Sequence, residues 1–198
     1  MERLSDKEAL IKEAKQLFFK GIELHCTNQS KAISNFKESA KIFESLQSKY
    51  YNNLELYFYL LEVYEGLNKD IAIQHGYKCL NILESKSNSK RQLGEVLTEY
   101  DVLRKLYKLL VKRGRAKEAE EHIYKLLAIL EAVIPILPKA NYPSSAQETL
   151  SREMQIADYF LQGIESGKDM SANLVDGFEF GSAELFYQLS NTKYFANY

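Results

Sequence analysis

His75 and Cys79 stand four residues apart, and His25 lies beside Cys26. Imidazole and thiolate are the usual ligands of tetrahedral zinc, so these groups are the first place to look for metal chemistry. The spacing does not support it. Adjacent residues on a helix point about 100° apart, so His25 and Cys26 diverge, and no second closely spaced pair completes a ligand set. Core cysteines and surface histidines are the plainer reading, and no metal is expected. Other catalytic arrangements are equally absent from the sequence. It contains no G-x-S-x-G, no H-E-x-x-H and no glycine-rich phosphate loop. Gly163, Gly167, Gly177 and Gly181 are too widely spaced to cradle a phosphate. Asp and Glu are abundant, at 27 residues, but they fall on amphipathic segments, where they form the solvated face. The expectation is a protein that is not an enzyme and carries no cofactor.

Aromatic side chains are a second class of candidate. Tyr50, Tyr51, Tyr57, Phe58 and Tyr59 crowd one short stretch. Phe178, Phe180, Phe186, Tyr187, Tyr194, Phe195 and Tyr198 crowd the C-terminal end. Tyrosine joins a large apolar area to a polar tip, which suits interfaces. The alternative is packing: the first group would fill ordinary helix positions, and the second would form a terminal helix covering an apolar end.

The elements that must position these residues are helical. Leu10, Ala14, Leu17 and Gly21 step by four, three and four, which places them on one face of a helix. Ala116, Ala119, Ile123, Leu126 and Leu130 do the same, as do Leu150, Met154, Ala157, Leu161 and Ile164. The spacing predicts helices at about 6–27, 30–49, 53–67, 70–85, 90–113, 115–134, 144–166 and 182–196. Ser5 with Glu8, Asn52 with Glu55, and Ser144 with Gln147 have the spacing of capping boxes. Asn68 and Gly114 sit where a helix ends in a left-handed residue. Short links force antiparallel neighbours, giving a row of hairpins or half-hairpins at about 6–49, 53–85, 90–134 and 144–166.

Composition narrows the function classes. The net charge is −1 with no basic stripe, which disfavours nucleic acid, where phosphate neutralisation supplies much of the affinity. Only 3 Pro and 9 Gly occur in 198 residues, too few breakers for a sandwich or barrel. The most apolar run, Leu126 to Leu137, is interrupted by Glu131 and Pro135 and is too short to span a bilayer. Two cysteines make no disulfide framework, and the N-terminus has no apolar signal core. A cytoplasmic setting and no membrane partner are expected.

The hairpins repeat. Leu103, Leu106, Tyr107 and Leu110, then Gly114, Ala119, Ile123 and Leu126, form the clearest unit. Tyr57, Leu60, Leu61 and Tyr64 precede Asn68, Ile73, Tyr77 and Leu80 in another. Leu17, Gly21 and Leu24 precede Ala32, Phe36 and Ser39 in a third. This resembles the tetratricopeptide family, whose first helix (A) carries bulky residues and whose second (B) carries a small one. A small residue such as Gly21 or Ala119 lets the two helices of a hairpin approach closely. Matching positions are about 40 and 46 residues apart against 34 in the standard repeat, so the helices are longer. A SNAP-like array or a non-repetitive helical bundle has the same local signals.

The resemblance implies an all-α chain, a TPR-like array of about four antiparallel hairpins with a C-terminal capping or docking helix. Residues 1–198 would form a single domain, with 167–198 as a divergent end. Some members of the family grip a peptide carboxylate with Lys, Asn and Arg from the A helices. The matching positions here hold Phe18, Ile22, Tyr59, Asp101 and Lys105, of which only Lys105 fits, so that clamp is not expected. The resemblance implies a protein or peptide partner, received by Tyr57, Tyr64, Tyr100, Leu103 and Tyr107 on A helices or by Phe186, Tyr187, Tyr194 and Phe195 near the C-terminus. The alternatives are a constitutive subunit of a large complex and, more remotely, a small-molecule binder or enzyme.

Overall fold

A computed structural model describes residues 2–85, 93–140 and 144–171. Among these residues the chain is all-helical, with seven α-helices and no strand. It divides into two compact units, residues 1–88 and 89–198, where the sequence reads as one repeat domain. The first unit holds α1 (Glu2–His25), α2 (Gln29–Gln47), α3 (Leu54–Leu67) and α4 (Lys69–Glu84). The second holds α5 (Leu93–Lys112), α6 (Ala116–Val133), a short 3-10 turn (Leu137–Ala140) and α7 (Ser144–Glu165). The eighth predicted helix lies outside the described residues.

In the first unit α1 packs along α2, α2 against α3, and α3 along α4. Gly21 explains the close approach of α1 and α2. A Cβ added there would stand 2.6 Å from Cε1 of Phe36, so the ring occupies the space that a side chain would fill. Ser39 Oγ adds a buried hydrogen bond to the carbonyl oxygen of Ala14 at 2.8 Å. The buried stripe of α1 is Ile11, Ala14, Phe18 and Gly21, rotated from the predicted face. Leu10 is exposed and Leu17 half-buried. The small residues and the aromatic ring make a surface into which Phe36 fits, and the leucines fall to one side.

The caps show where local chemistry holds and where it shifts. Asn28 Oδ1 accepts from the Lys31 amide at 3.1 Å and opens α2. Asn53, not Asn52, opens α3, accepting from the Leu56 amide at 3.0 Å. Asn68 is extended, with φ −158°, rather than left-handed. Its N–H still closes α3 on the Tyr64 carbonyl, and its side chain accepts from the amides of Asp70 and Ile71 to open α4. One residue thus serves two helix ends, which leaves no room for a left-handed turn. Ser5 lies inside α1, and Ser144 is the first residue of α7.

In the second unit α5 packs along α6 and α6 along α7. Gly114 ends α5 with φ 70°, as its position predicts. Arg115 N–H reaches back to the Leu110 carbonyl at 2.9 Å, the Schellman closure that the left-handed residue permits. Gly167 ends α7 in the same way, with Lys168 N–H on the Gly163 carbonyl at 2.9 Å. A Cβ at Gly163 would lie 2.2 Å from Sδ of Met170, so that thioether fills the notch here. From α6, Ala119, Ile123, Leu126 and Leu130 are buried, as the periodicity requires.

Candidate interaction surfaces

In the first unit, α1 and α3 share a face on which rings and charges alternate. Phe18 and Phe19 are neighbours on α1, with centroids 5.4 Å apart. Phe18 meets the edge of Tyr59 on α3 at 5.8 Å, and Tyr59 meets Phe58 at 6.1 Å. The row therefore crosses from one helix to the other. Tyr59 is held from beneath by Phe43 of α2, stacked at 5.5 Å and 11°. Lys15 Nζ lies 4.9 Å from the Tyr59 centroid and also pairs with Glu55. Burial, with Glu55 and Glu62 adding to it, pushes the Tyr59 hydroxyl above its usual range and keeps it neutral. Phe19 is 36% exposed, so the row ends on a ring open to solvent.

A second aromatic group joins α3 to α4. His75 lies between Tyr57 and Tyr64, with centroids 6.0 and 5.6 Å away. Tyr64 donates its hydroxyl to Glu44 of α2, and burial with this bond pushes its pKa up to about 12. Burial lowers the pKa of His75, while the Glu44 carboxylate opposes the shift. Cys79 is buried and its thiol is pushed up by burial, with Glu62 adding to it, so it stays protonated and unreactive.

The second unit places charge where the first places rings. Residues 100–107 of α5 are all buried, including Asp101, Arg104 and Lys105. Arg104 lies 3.8 Å from both Asp101 and Glu153 of α7, and Lys108 is 3.8 Å from Glu153. Tyr107 packs on Phe160 of α7 at 5.8 Å. Burial raises the Tyr100 pKa; Arg104 pulls it down, and Glu153 and Asp101 push it up.

Four of the sequence candidates are therefore core residues. Tyr57, Tyr100, Leu103 and Tyr107 are buried, the last two completely. Tyr64 is half-buried. Phe186, Tyr187, Tyr194 and Phe195 lie outside the described residues, as do Phe178, Phe180 and Tyr198. At the clamp positions, Phe18, Asp101 and Lys105 are buried. Sequence reasoning passed over Lys15 and Phe19, and read Glu55 only as part of a capping box. Lys15 and Glu55 are separated by 40 residues, the repeat interval between the first two hairpins, and that interval was the available signal.

No family model, curated protein or solved structure matches the chain. Among the described residues no group of three or more His, Cys, Asp and Glu is placed to hold a metal ion. No described helix is long and apolar enough to cross a membrane.

Proposed function

We propose that the chain is a non-enzymatic protein–protein interaction module: a TPR-like array of helical hairpins whose A helices, α1 and α3, receive a peptide on their shared face. The observation that carries this reading is the ring row Phe19–Phe18–Tyr59–Phe58, in which the buried ring of Phe18 joins the exposed Phe19 of α1 to the half-buried Tyr59 and Phe58 of α3. Isolated exposed apolar residues are normal on any surface. A row assembled from two helices, flanked by Lys15 and Glu55, has the composition of an interface centre with a polar rim. The partner that fits is a peptide with an apolar or aromatic side chain beside a charged one. The two free cysteines, one exposed and one buried, suit a reducing compartment such as the cytoplasm.

Selection of a displayed random-peptide library on the intact chain tests this. A recovered consensus should lose at least ~10-fold in affinity with Phe19→Ala, a loss typical of one interface hot spot. It should be unchanged with Lys41→Ala, an exposed control on α2. Failure to enrich any sequence, or binding indifferent to Phe19→Ala, would reject the reading.

A further inference from the structure

The charged side chains in the second half of α5 share one face. With Leu103 as origin and about 100° per residue, Arg104, Lys108, Asp101, Lys112 and Lys105 lie between about 100° and 200°. Leu103, Leu106 and Leu110 hold the opposite face. The charged face of an amphipathic helix belongs in water. Here Asp101, Arg104 and Lys105 are only 3–4% exposed, and Lys108 and Lys112 are half-buried.

Helix α7 covers the near edge of this face. Tyr107, at about 40°, packs on Phe160, and Arg104, at about 100°, lies 3.8 Å from Glu153. Lys105 is turned about 100° further from α7 and is buried all the same. Among the described residues, this face and its α7 edge set Arg104, Lys105, Lys108 and Lys112 against two carboxylates, Asp101 and Glu153. Surplus charge is costly to bury, so the cover that suits this face is acidic.

Residues 172–198 have that composition. They carry Asp176, Glu179 and Glu184 against one lysine, Lys193, with Phe178 and Phe180 on either side of Glu179. Residues 86–92 hold Lys86, Lys90 and Arg91 and no acid, and 141–143 are too few to cover a face. The chain also leaves α7 beside α5. After Gly167 it turns back, with Lys168 N–H on the Gly163 carbonyl and Met170 in the notch at Gly163. Gly163 is about one turn beyond Phe160, the ring that meets Tyr107. From Asp101 to Lys112 the face is about 17 Å long, well within the reach of the residues that follow.

We propose that residues 172–198 dock on the charged face of α5 in the same molecule, bringing Asp176, Glu179 and Glu184 to its lysines and arginine and laying aromatic rings over the lysine stems. The segment is an internal peptide ligand, and another peptide reaches this face only by displacing it.

Carbodiimide cross-linking of the full chain, which joins a lysine directly to a carboxylate in contact with it, tests this. Mass spectrometry of the digest should find Lys105, Lys108 or Lys112 joined to Asp176, Glu179 or Glu184. In an equal mixture of heavy-nitrogen-labelled and unlabelled protein, these links should not combine the two labels. Reversing the three acids together (D176K/E179K/E184K) should raise the acetylation rate of Lys105 at least ~10-fold, as its cover opens, with the helical circular-dichroism signal unchanged. If the variant loses that signal, the cross-links alone decide. Absence of those links, links that combine the labels, or a folded variant with Lys105 still protected would each overturn the proposal. Combined labels would place a second copy's segment on the face. Links only to acids before residue 172 would assign the cover to another part of the chain.

Discussion

The two units are built from the same kind of helix and fill their interiors with different materials. In the first, a glycine notch takes a phenylalanine ring, and a row of aromatics runs from helix to helix. In the second, a glycine notch takes a flexible methionine, and α5 buries Asp101, Arg104 and Lys105. Ring packing gains from area and shape, and beside it the first unit buries a single carboxylate, Glu62, among its described residues. A buried ion network gains little over apolar packing, but removing one member leaves the others uncompensated. The first unit should therefore be sensitive to changes of shape, and the second to changes of charge.

The sharpest test is Arg104→Ala. It removes the cation between Asp101 and Glu153 and should cost about 3–5 kcal/mol, the range for orphaning a buried ionic partner. Hydrogen exchange resolved by mass spectrometry should place the lost protection in α5 and α7. A loss under about 1 kcal/mol, the range of a surface pair, would show that the network is not a buried one.

The glycine notches come next. Gly21→Ala forces a Cβ onto a ring that is 1% exposed and packed against Phe18 at 6.0 Å, and should cost about 1–3 kcal/mol of overpacking. Gly163→Ala meets a Met170 side chain that can move, and the helix propensity gained by alanine, about 1 kcal/mol, offsets much of the clash. Denaturant unfolding of both variants should rank them in that order. Equal costs would remove the distinction between a rigid and a flexible filling.

His75 gives the smallest effect, and it lies in the unit otherwise governed by shape. Burial depresses its folded-state pKa below the unfolded value of about 6.5. The unfolded chain then binds the proton more readily, so stability is full above that value. It falls as pH drops through it and levels off below the folded-state pKa. The slope of melting temperature between pH 7.5 and 5.5 should be smaller in His75→Phe, which keeps a ring between Tyr57 and Tyr64. An unchanged slope would mean that His75 does not contribute to it.

Much of the secondary structure was legible because helix formation is written in nearby residues. The period of the apolar positions located all seven described helices to within a few residues. Gly114 was readable as a left-handed end because its neighbours could not take that conformation as cheaply. Asn68 was misplaced because asparagine suits both a left-handed stop and an N-cap. With α4 starting one residue later, the cap prevailed. The interaction surface was less legible. Tyr100, Leu103 and Tyr107 looked like groove residues by their helix, but residues 100–107 are buried on every side. Phe19 looked unremarkable until the ring row beside it was assembled from α1 and α3.

The sequence by itself determined that this chain is helical, where its helices run, and that Gly21 marks a close approach. Those follow from local hydrogen bonding, residue period and the missing Cβ. Tertiary structure alone decided which of two overlapping stripes α1 buries. Ile11, Ala14, Phe18 and Gly21 prevailed over the leucine row because together they present a notch that Phe36 can enter. Hydrophobic period cannot distinguish two stripes less than a quarter-turn apart. The shape of the neighbouring helix can, and that choice left Leu10 exposed.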